Sequence, residues 1–537
     1  MATNALTPAQ MNALGLSEIA AGDLDQAAQI FELLCEAGLA ESSALLSLGV
    51  ALESVGKSKE ALEWTGRSVA LDPENPLGFH VLAHLFIEIE AFSAGADAAR
   101  QALRLQPNLA AAHAQLGRCL QKLKRADEAV FELRRALELN PLDASAHLDL
   151  GNAHQDLGEW EQAEAAFDHA ATLDPNSAKP HFNLGNLLQK MGRRSDALAA
   201  YERALCTAPE DAALRLNAGL LQLTMEDFEN GWRNFEWRWK APAERPFVRN
   251  CTVALWNGEA DVRGKRFIIQ SEQGLGDTLQ FVRYAPLLAA LGAEVVVDAP
   301  TSLQKLLGTV EGVDAVVAPA QDLPQADFRC PMMSLPLALG LPTPLPAREG
   351  GYLAVDLHRR RKWSHRLGSC ERPLVGLAYS GNASHTNDRN RSIELSELLS
   401  SLPLGPRYFV LQTDVRDGDK ACFAARDDIE WLGHELEDFM DTAAAAMCLD
   451  LIVTVDTAIA HLAGALDRPA HLLLPFEPDW RWGFDRSTCL WYSSLTLHRQ
   501  LRRGDWTDPL QAVSKIIAAT VDETRARTTG GQSPTNS

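Results

Sequence analysis

A glycine-rich turn between a predicted strand and a predicted helix is the first place in this chain where chemistry is expected. The turn lies in "SEQGLGDTLQF", residues 271–281, and contains Gly274 and Gly276 before Asp277. A dinucleotide-binding loop needs a third glycine, and Leu279 stands where that glycine would be. The turn therefore does not predict a nicotinamide or flavin site. From the residues alone, Asp277 either caps the helix that follows or faces a ligand.

A second polar stretch predicts a site for an anionic diphosphate. In "DLIVTVDTAIAHLAGAL", which begins at Asp450, an apolar run ends at Asp456 and a helix is predicted to begin at Thr457. The free N–H groups and the dipole at the start of such a helix stabilise an anion at the carboxyl edge of a parallel sheet. His461 shares the helix face of Thr457, and it either contributes to this site or is a buried core histidine.

Arginines that could neutralise the same phosphate lie in a loop after another predicted strand. "GLAYSGNASHTNDRNRSI" contains Arg389 and Arg391, with Ser380, Asn382 and His385 in the turn before them. Guanidinium groups bind phosphate through paired hydrogen bonds and would stabilise a departing nucleotide. Arginine pairs in loops are also often solvated, and the sequence leaves both interpretations open.

The elements that must position these motifs form a predicted two-lobed α/β region. After residue 262, short apolar runs alternate with helical stretches, which is typical of a parallel sheet covered on both faces. "LPLALGLPTPLPAREGGY" is rich in proline and glycine and indicates a crossing between lobes. We place a first lobe at 250–350 and a second at 365–515. The tail at 520–537 has few apolar residues and is expected to be disordered.

The residues before this region carry an internal repeat with a period of 34 residues. Small residues recur at positions 15, 49, 83, 117, 151, 185 and 219, and prolines at 73, 107, 141, 175 and 209. Small residues let two antiparallel helices approach closely, and a proline ends the second helix. The repeat predicts helical hairpins over 8–240. Near their end, Trp232, Trp237 and Trp239 predict an aromatic domain junction.

The repeat resembles the tetratricopeptide repeat (TPR). Units such as "LGNAHQDLGEWEQAEAAFDHAATLDPN" carry its L-G, G, A, F, A and P positions. The resemblance implies an α-solenoid whose concave surface binds a peptide or another protein, and the alternative is a spacer or dimerisation arm. On the first helices of successive hairpins, Asn152, Asn183, Asn186 and Asn217 could hold an extended peptide backbone, or they are solvated polar positions.

The motifs of the α/β region resemble, in their order, bacterial proteins that join tetratricopeptide repeats to a glycosyltransferase domain. The matching stretches are "SEQGLGDTLQFVRYAP", "GLAYSGNASHTNDRNRSI", and "DLIVTVDTAIAHLAGAL" followed by "LLLPFEPDWRW". This domain is similar to the ADP-heptose:lipopolysaccharide heptosyltransferases, so the resemblance implies a GT-B fold over about residues 250–505. It implies that Asp277 is a general base, and that Asp456, Thr457 and His461 hold the donor diphosphate. The other residues assigned to donor binding are Gly274, Gly276, Ser380, Asn382, Arg389 and Arg391.

One residue departs from the heptosyltransferase pattern, because Ala458 stands where those enzymes usually have glycine. Close backbone approach to phosphate is easiest at glycine, so ADP-heptose is a doubtful donor. The hypothesis is an inverting transfer from a nucleotide sugar, in which Asp277 accepts the proton of a protein Ser or Thr hydroxyl. Arg389, Arg391 and the helix beginning at Thr457 stabilise the leaving phosphate. Because these groups neutralise the charge, we expect no metal, and no cofactor beyond the nucleotide-sugar co-substrate.

The repeats favour a protein acceptor, because docking raises its local concentration. Soluble flagellin glycosyltransferases of bacteria have this build and eukaryotic O-GlcNAc transferases share the plan, so flagellin is one candidate acceptor. Two alternatives remain: a non-catalytic scaffold with a degenerate GT-B domain, and a heptosyltransferase-like enzyme of surface polysaccharide synthesis. The second would use the basic stretch "HRRRKWSHR" from His358 as a membrane-facing patch, although that stretch also fits a solvated helix.

Composition limits the partners and the compartment. Lys and Arg number 50 against 71 Asp and Glu, and the net charge of −21 disfavours nucleic acid or an anionic membrane as a partner. The nine cysteines include no C-x-x-C pair, which predicts reduced thiols and a cytoplasmic location. The N-terminus has no secretory pattern and the apolar runs are short, so no integral membrane contact is expected.

Overall fold

The computed structural model of the protein describes residues 6–241, 249, 251–341, 343–345, 349–368, 372–385 and 387–530. The chain forms two compact units, Met1–Pro209 and Glu210–Ser537. The sequence repeat continues to about residue 240. The last of the predicted hairpins therefore belongs to the second unit.

The first unit consists of helices that pair into six successive hairpins over its described residues. Local signals set their ends, as in the ninth helix, where the Asp143 carboxylate accepts a hydrogen bond from Ala146 N–H at 3.0 Å. The helices are α1 (Pro8–Ala21), α2 (Leu24–Glu36), α3 (Ser42–Ser54), α4 (Ser58–Leu71), α5 (Pro76–Glu88), α6 (Phe92–Leu105), α7 (Ala110–Lys122), α8 (Ala126–Leu139), α9 (Ala144–Leu157), α10 (Trp160–Leu173), α11 (Ala178–Lys190) and α12 (Arg194–Thr207). The helical repeat array is confirmed.

The repeated glycines lie where the two helices of a hairpin touch. A Cβ at Gly151 would lie 2.4 Å from the Phe167 ring, and one at Gly185 would lie 2.5 Å from the Tyr201 ring. Both aromatic side chains are fully buried. A larger residue would push the helices apart. The close packing of each hairpin therefore explains why small residues recur every 34 positions.

The second unit begins with the last hairpin, α13 (Ala212–Thr224) and α14 (Phe228–Phe235), and a short 3-10 helix, Glu236–Trp239. The Trp232 side chain is buried, and its ring centroid lies 6.1 Å from that of Phe281 and 5.3 Å from that of Trp480. Both partners belong to the α/β region. Trp232 therefore forms the aromatic junction that the sequence predicts.

The other two tryptophans of this segment pack against cations. The Arg215 guanidinium lies 4.7 Å from the Trp237 ring centroid, and Arg238 lies 4.7 Å from that of Trp239. Arg238 also donates to both carboxylate oxygens of Glu272, at 3.0 and 3.1 Å, and both side chains are buried. This buried ion pair fixes the 3-10 helix to the strand–turn region before Asp277.

The α/β region contains two sheets whose strand pairs are all parallel among the described residues. The first sheet has the order β1-β5-β2-β3-β4, and the second has the order β11-β10-β9-β6-β7-β8. The strands are β1 (Ala254–Leu255), β2 (Arg266–Gln270), β3 (Glu294–Asp298), β4 (Ala315–Val317), β5 (Phe328–Pro331), β6 (Leu374–Ala378), β7 (Arg407–Val410), β8 (Ile429–Trp431), β9 (Leu451–Val455), β10 (Ala470–Leu474) and β11 (Leu495–Arg499). The prediction of parallel sheets in this region is confirmed.

Helices connect these strands and cover the sheets. They are α15 (Leu275–Phe281), α16 (Ala285–Ala290), α17 (Gln304–Leu307), α18 (Leu335–Ala338), α19 (Leu357–Leu367), α20 (Asp388–Arg391), α21 (Leu395–Ser401), α22 (Lys420–Ala425), α23 (Phe439–Ala446), α24 (Ala458–Ala465) and α25 (Thr507–Gly530). The order of the second sheet places β6, β9 and β10 side by side. Since these strands are parallel, the loops that follow them meet at one edge of the sheet.

The tail differs from the expectation of disorder over 520–537. Helix α25 continues to Gly530, and the remaining residues lie outside the described part of the chain. Val513, Ile517 and Val521 are all buried, and their spacing is that of one helix face. This apolar face extends past the predicted boundary, which is why the helix does too.

Candidate functional site

The loops after β6, β9 and β10 each bring a charged group to the same place. Arg391 follows β6 and donates from Nη1 to the backbone carbonyl of Asp456, at 3.0 Å. Asp456 follows β9 directly, just before α24. Gly381 makes this contact possible, because a Cβ there would lie 2.5 Å from Nη2 of Arg391. The structure therefore joins two motifs that the sequence placed in one site.

Arg481, in the loop after β10, is the centre of a polar cluster. Its Nη2 donates to the Asp277 carboxylate, its Nη1 donates to Asp479 at 2.7 Å, and its Nε donates to the side-chain oxygen of Gln280 at 2.7 Å. The Arg481 side chain is buried. Because Asp277 and Gln280 lie on α15 and Arg481 follows a strand of the second sheet, this cluster joins the two lobes.

Asp277 caps the helix that follows it, as one of the two alternatives from the sequence expected, and it also pairs with Arg481. One carboxylate oxygen accepts from Gly274 N–H at 2.7 Å, which caps α15, and the other accepts from Arg481. Burial raises the pKa of Asp277, and the Arg481 charge opposes that rise. The aspartate is therefore positioned firmly, with its basicity set by two opposing effects.

Asp456 is the second perturbed carboxyl of the site. Burial raises the pKa of Asp456 to about 6, and the neighbouring Asp479 carboxylate adds to the rise, while Arg391 opposes it. The Trp482 indole N–H lies beside this carboxyl without completing a hydrogen bond of normal geometry. Asp456 can thus change its charge within one unit of neutral pH.

His461 lies on α24 at the contact with α15. Its Nδ1 is 3.1 Å from the Tyr492 hydroxyl, and its ring stacks on that of Trp482 with centroids 5.1 Å apart. A Cβ at Gly276 would lie 2.7 Å from this ring, so the glycine allows the two helices to meet. Burial lowers the pKa of His461, with Arg481 adding to the effect, and the ring is therefore neutral. It is a buried histidine adjoining the polar cluster.

Thr457 caps α24, as its position at the start of that helix suggests. The hydroxyl oxygen accepts from Ile459 N–H at 3.3 Å and lies 3.2 Å from the Thr454 hydroxyl. A capping threonine leaves other N–H groups of the first turn for an anion.

Arg389 does not join Arg391. It is exposed and lines a cavity of about 460 Å³ in the second lobe. The residues around this cavity are Ala383, His385, Asp388, Arg389, Ser392, Glu394 and Arg416. The cavity is polar, and it adjoins the loop that carries Arg391 to Asp456.

Ser380 and Asn382 support that loop. The Ser380 hydroxyl accepts from the Gln412 amide at 2.8 Å, and the Asn382 side chain accepts from Ser384 N–H at 3.0 Å. Ser380 is buried and Asn382 is exposed. Their observed contacts shape the turn before the two arginines.

Three residues of the cluster were missed by sequence reasoning, namely Gln280, Asp479 and Arg481. The available signal was "PDWRW", in which an arginine stands between two tryptophans shortly after an apolar run. An arginine in such an apolar setting needs anionic partners. The sequence did not show that those partners lie on the helix after Gly274.

The amides proposed for peptide binding mostly pair within their own unit. Asn183 donates to Asn152 at 2.9 Å, and the Tyr201 hydroxyl donates to Asn186 at 2.6 Å. Asn217, in the second unit, donates to the Ala213 carbonyl of its own helix at 2.8 Å. All four amides are half-buried, so each keeps some exposed surface.

The pair between Asn152 and Asn183 is part of a row. Polar pairs link the first helices of neighbouring hairpins in the first unit: Glu53 with His84, His80 with Gln115, Arg118 with Asp149, and Gln121 with Asp156. The row offers amide, imidazole and carboxylate groups whose charges are largely paired.

The basic stretch on α19 is partly engaged in its own lobe. Arg359 donates to Asp438 at 2.7 Å and Arg366 donates to Glu435 at 2.9 Å. Arg361, Lys362 and His365 are exposed. The helices in the described part of the chain include none with the length and apolar character of a membrane span, and the same residues contain no group of three or more side chains that could bind a metal ion.

Comparison with known proteins identifies the repeats. The tetratricopeptide repeat family matches residues 12–76, 110–143 and 142–210. Residues 12–210 therefore contain tetratricopeptide repeats, and such repeats serve protein–protein interaction. No curated protein matches the chain.

Several solved structures of repeat proteins are similar to part of the chain. One is a thermophilic TPR protein of Thermus thermophilus, with 26% identity over 34% of this chain and 99% of that one, at a TM-score of 0.31. Another is YrrB, a TPR protein with an unusual peptide-binding site, with 25% identity over 33% and 91% of the two chains and a TM-score of 0.28. A third, from Parabacteroides merdae, has 19% identity over 43% and 91%, with a TM-score of 0.37.

Proposed function

We propose that the protein is a glycosyltransferase that moves a sugar from a nucleotide-sugar donor to a Ser or Thr hydroxyl of a protein. The observation that carries this proposal is the meeting of Arg391, Arg481 and the start of α24 beside Asp277. Two cations and a helix N-terminus are suited to a diphosphate leaving group, and a positioned carboxylate is suited to accept a proton. Two parallel sheets in one compact unit support a GT-B fold.

In this mechanism Asp277 removes the proton of the acceptor hydroxyl as its oxygen attacks the anomeric carbon. The bond from that carbon to the phosphate oxygen breaks, and the leaving nucleoside diphosphate takes the electron pair. Arg391 and the N–H groups at the start of α24 stabilise its charge. A single displacement of this kind inverts the anomeric configuration. The cavity beside Arg389 would hold the nucleoside.

In this proposal the repeats bind the acceptor protein. Tetratricopeptide repeats are protein-binding scaffolds, and a bound acceptor has a raised local concentration for transfer. The row of polar pairs that includes Asn152 and Asn183 would hold an extended, weakly charged segment. Flagellin is a candidate acceptor on the resemblance to soluble flagellin glycosyltransferases, and we propose a cytoplasmic location on the same ground.

A non-catalytic scaffold is the second candidate. The observation that favours it is the double engagement of Asp277, whose two oxygens both have partners within the protein. In that case the ion pair with Arg481 would serve only to hold the lobes together.

Thermal shift with a panel of nucleotide sugars, covering uridine, adenosine, cytidine, guanosine and thymidine donors, separates these candidates. A ligand that binds the native state raises the unfolding temperature. We expect one class of donor to raise it in the wild type, and Arg391→Gln to reduce the shift. Arg502→Gln, which changes an exposed arginine of the same lobe, is the matched control.

The donor found in this way is then tested for transfer of a labelled sugar to candidate acceptors, with flagellin first. Label on a Ser or Thr residue supports the proposal. Absence of a thermal shift with every donor would favour the scaffold. Transfer to a saccharide but to no protein would favour an enzyme of surface polysaccharide synthesis.

A further inference from the structure

We propose that Arg481 is an exchangeable phosphate ligand, which pairs with Asp277 in this structure and moves to the donor diphosphate when the donor binds. The exchange would free one oxygen of Asp277 to accept the acceptor proton. This inference rests on the proposed function for the identity of the donor. Its test needs only a diphosphate.

The first argument is position. Arg391 and Arg481 follow β6 and β10, the two strands that flank β9 in the sheet. Arg391 binds the carbonyl of Asp456 at 3.0 Å, and the Arg481 charge acts on Asp456 and on His461. Two guanidinium groups therefore lie on either side of the turn that begins α24. A diphosphate has two phosphoryl groups, each suited to one guanidinium.

The second argument is a set of buried donors that make no hydrogen bond of normal geometry. Nε2 of Gln280 is buried and hydrogen-bonded to no described residue. Nε1 of Trp482 and Nε of Arg391 are buried near the carboxylates of Asp456 and Asp388, respectively, without a hydrogen bond of normal geometry. The Gln280 and Trp482 side chains are 0% and 1% exposed. All three atoms are donors, and all belong to residues in contact with the cluster. Buried donors that need acceptors indicate a ligand rich in oxygen atoms, such as a diphosphate.

The third argument is charge. Asp277, Asp456 and Asp479 surround the two arginines, so the cluster already has more carboxylates than guanidiniums. A diphosphate would meet this excess of negative charge if the arginines kept all their present partners. The binding free energy of the diphosphate is most favourable when a guanidinium leaves a carboxylate and binds the phosphate instead. Exchange at Asp277 is therefore the favourable route.

The fourth argument concerns Arg481 itself. Its Nη1 and its backbone N–H both bind Asp479, at 2.7 and 3.0 Å, within the same loop. This local anchor stays with the arginine whether or not Asp277 is its partner. The contact with Asp277 comes instead from a separate helix, α15, and can break without moving the loop.

The experiment measures the affinity of inorganic pyrophosphate by isothermal titration calorimetry in the full chain. Four proteins form a cycle: the wild type, Asp277→Asn, Arg481→Gln and the double variant. Arg481→Lys is a fifth protein, which keeps the charge but loses the planar fork. Inorganic phosphate and a nucleoside diphosphate are run beside pyrophosphate, to distinguish a general anion site from a nucleotide site.

Exchange predicts a specific pattern. Asp277→Asn frees Arg481 and should tighten pyrophosphate binding by roughly tenfold, the value of one charge-assisted hydrogen bond. Arg481→Gln should weaken it by a similar factor, and Arg481→Lys by less. In the Arg481→Gln background, the gain from Asp277→Asn should disappear, because no guanidinium is left to release.

Other results would overturn the inference. If the gain from Asp277→Asn is equal with and without Arg481, the aspartate acts by simple repulsion and Arg481 does not exchange. If pyrophosphate binds neither the wild type nor Asp277→Asn, the arginines are structural. Both outcomes are independent of sugar transfer. If Asp277→Asn and Arg481→Gln are coupled in their effect on pyrophosphate affinity but no sugar transfer is found, this inference stands while the proposed function fails.

Discussion

The two units of this protein differ in the sequence separation between polar side chains that bind each other. In the first unit, Asn183 binds Asn152 and Arg118 binds Asp149, each across 31 residues, and His80 binds Gln115 across 35. These separations differ little from the repeat period of 34 residues. In the second unit, Arg391 binds Asp456 across 65 residues and Arg481 binds Asp277 across 204. In the repeats, the period of the sequence predicts which residues are in contact. In the α/β lobes, the order of the strands in the sheet determines the contacts.

The difference explains what could be predicted. The repeat at 34 residues indicated which small residues face the partner helix, because each hairpin repeats the same contact. In the α/β region the motifs correctly indicated strands followed by polar loops. The general rule for parallel sheets then placed Arg391 and Asp456 together.

Arg481 could not be placed by that reasoning. Its partners Asp277 and Gln280 lie in the other lobe, and their contact depends on how two separate sheets pack. No local pattern carries this information. The extension of α25 was missed for a simpler reason, since composition alone hid an apolar helix face that ends at Val521.

The largest expected effect is in the non-periodic region. Asp277→Asn should lower the rate of sugar transfer by about a thousandfold, because a general base contributes on that order. Donor binding should not be lost, since Arg481 and Arg391 remain. Single-turnover transfer and thermal shift with the donor measure the two quantities separately.

Asp427→Asn, at an exposed position of the second lobe, is the control for that variant. It should leave both quantities unchanged. Loss of donor binding in Asp277→Asn would show that the aspartate holds the lobes together rather than serving the reaction.

The next largest effect tests the periodic rule. Gly151→Ala should lower the free energy of unfolding of the repeats by about 1–3 kcal/mol, because its Cβ would lie 2.4 Å from the buried Phe167 ring. Gly66→Ala should instead raise it by about 0.5–1 kcal/mol, since alanine is the better helix former. A Cβ at Gly66 has no atom within 4 Å.

Chemical denaturation followed by circular dichroism measures both changes. Gly66 does not belong to the repeating small positions, so the two variants form a matched pair within helices of one unit. Equal destabilisation by both would contradict the close-packing explanation of the repeat.

A pH-dependent effect is expected at Asp456. Its pKa in the folded protein, about 6, is above the usual range, so the folded state binds this proton more tightly than the unfolded state does. Its contribution to stability is present at low pH and is lost as pH rises through about 6. Asp456→Asn should therefore gain stability relative to the wild type at pH 8, and show a smaller difference at pH 4.5.

Asp428→Asn should behave in the opposite sense. The Arg426 guanidinium lowers the pKa of Asp428, so this carboxylate stabilises the fold at pH 8 and loses that contribution as pH falls. Urea denaturation at the two pH values measures both variants. A stability difference between Asp456→Asn and the wild type that is equal at both pH values would show that folding does not raise the pKa of Asp456.

The smallest expected effect is in the row of polar pairs. Asn152→Ala and Asn183→Ala should each destabilise the repeats, and their double-mutant cycle should give a coupling of about 0.5–1.5 kcal/mol from the shared hydrogen bond. Asn217→Ala serves as a control, because among the described residues that amide donates to the backbone of its own helix. Coupling between Asn152 and Asn217 as large as that between Asn152 and Asn183 would rule out pairwise contacts as its origin.

The boundary at Pro209 has a consequence for how such proteins exchange parts. By sequence the last hairpin is one more repeat, but its Trp232 side chain is buried against Phe281 and Trp480 of the α/β region. A gene fusion that swapped the whole repeating stretch would strip these aromatics from the α/β region and leave an apolar surface that invites aggregation. Recombination that joins the parts between residues 209 and 210 keeps that hairpin together with the α/β region. The preceding repeats can then diverge freely, while the final hairpin evolves with the helix and the loop that its Trp232 contacts.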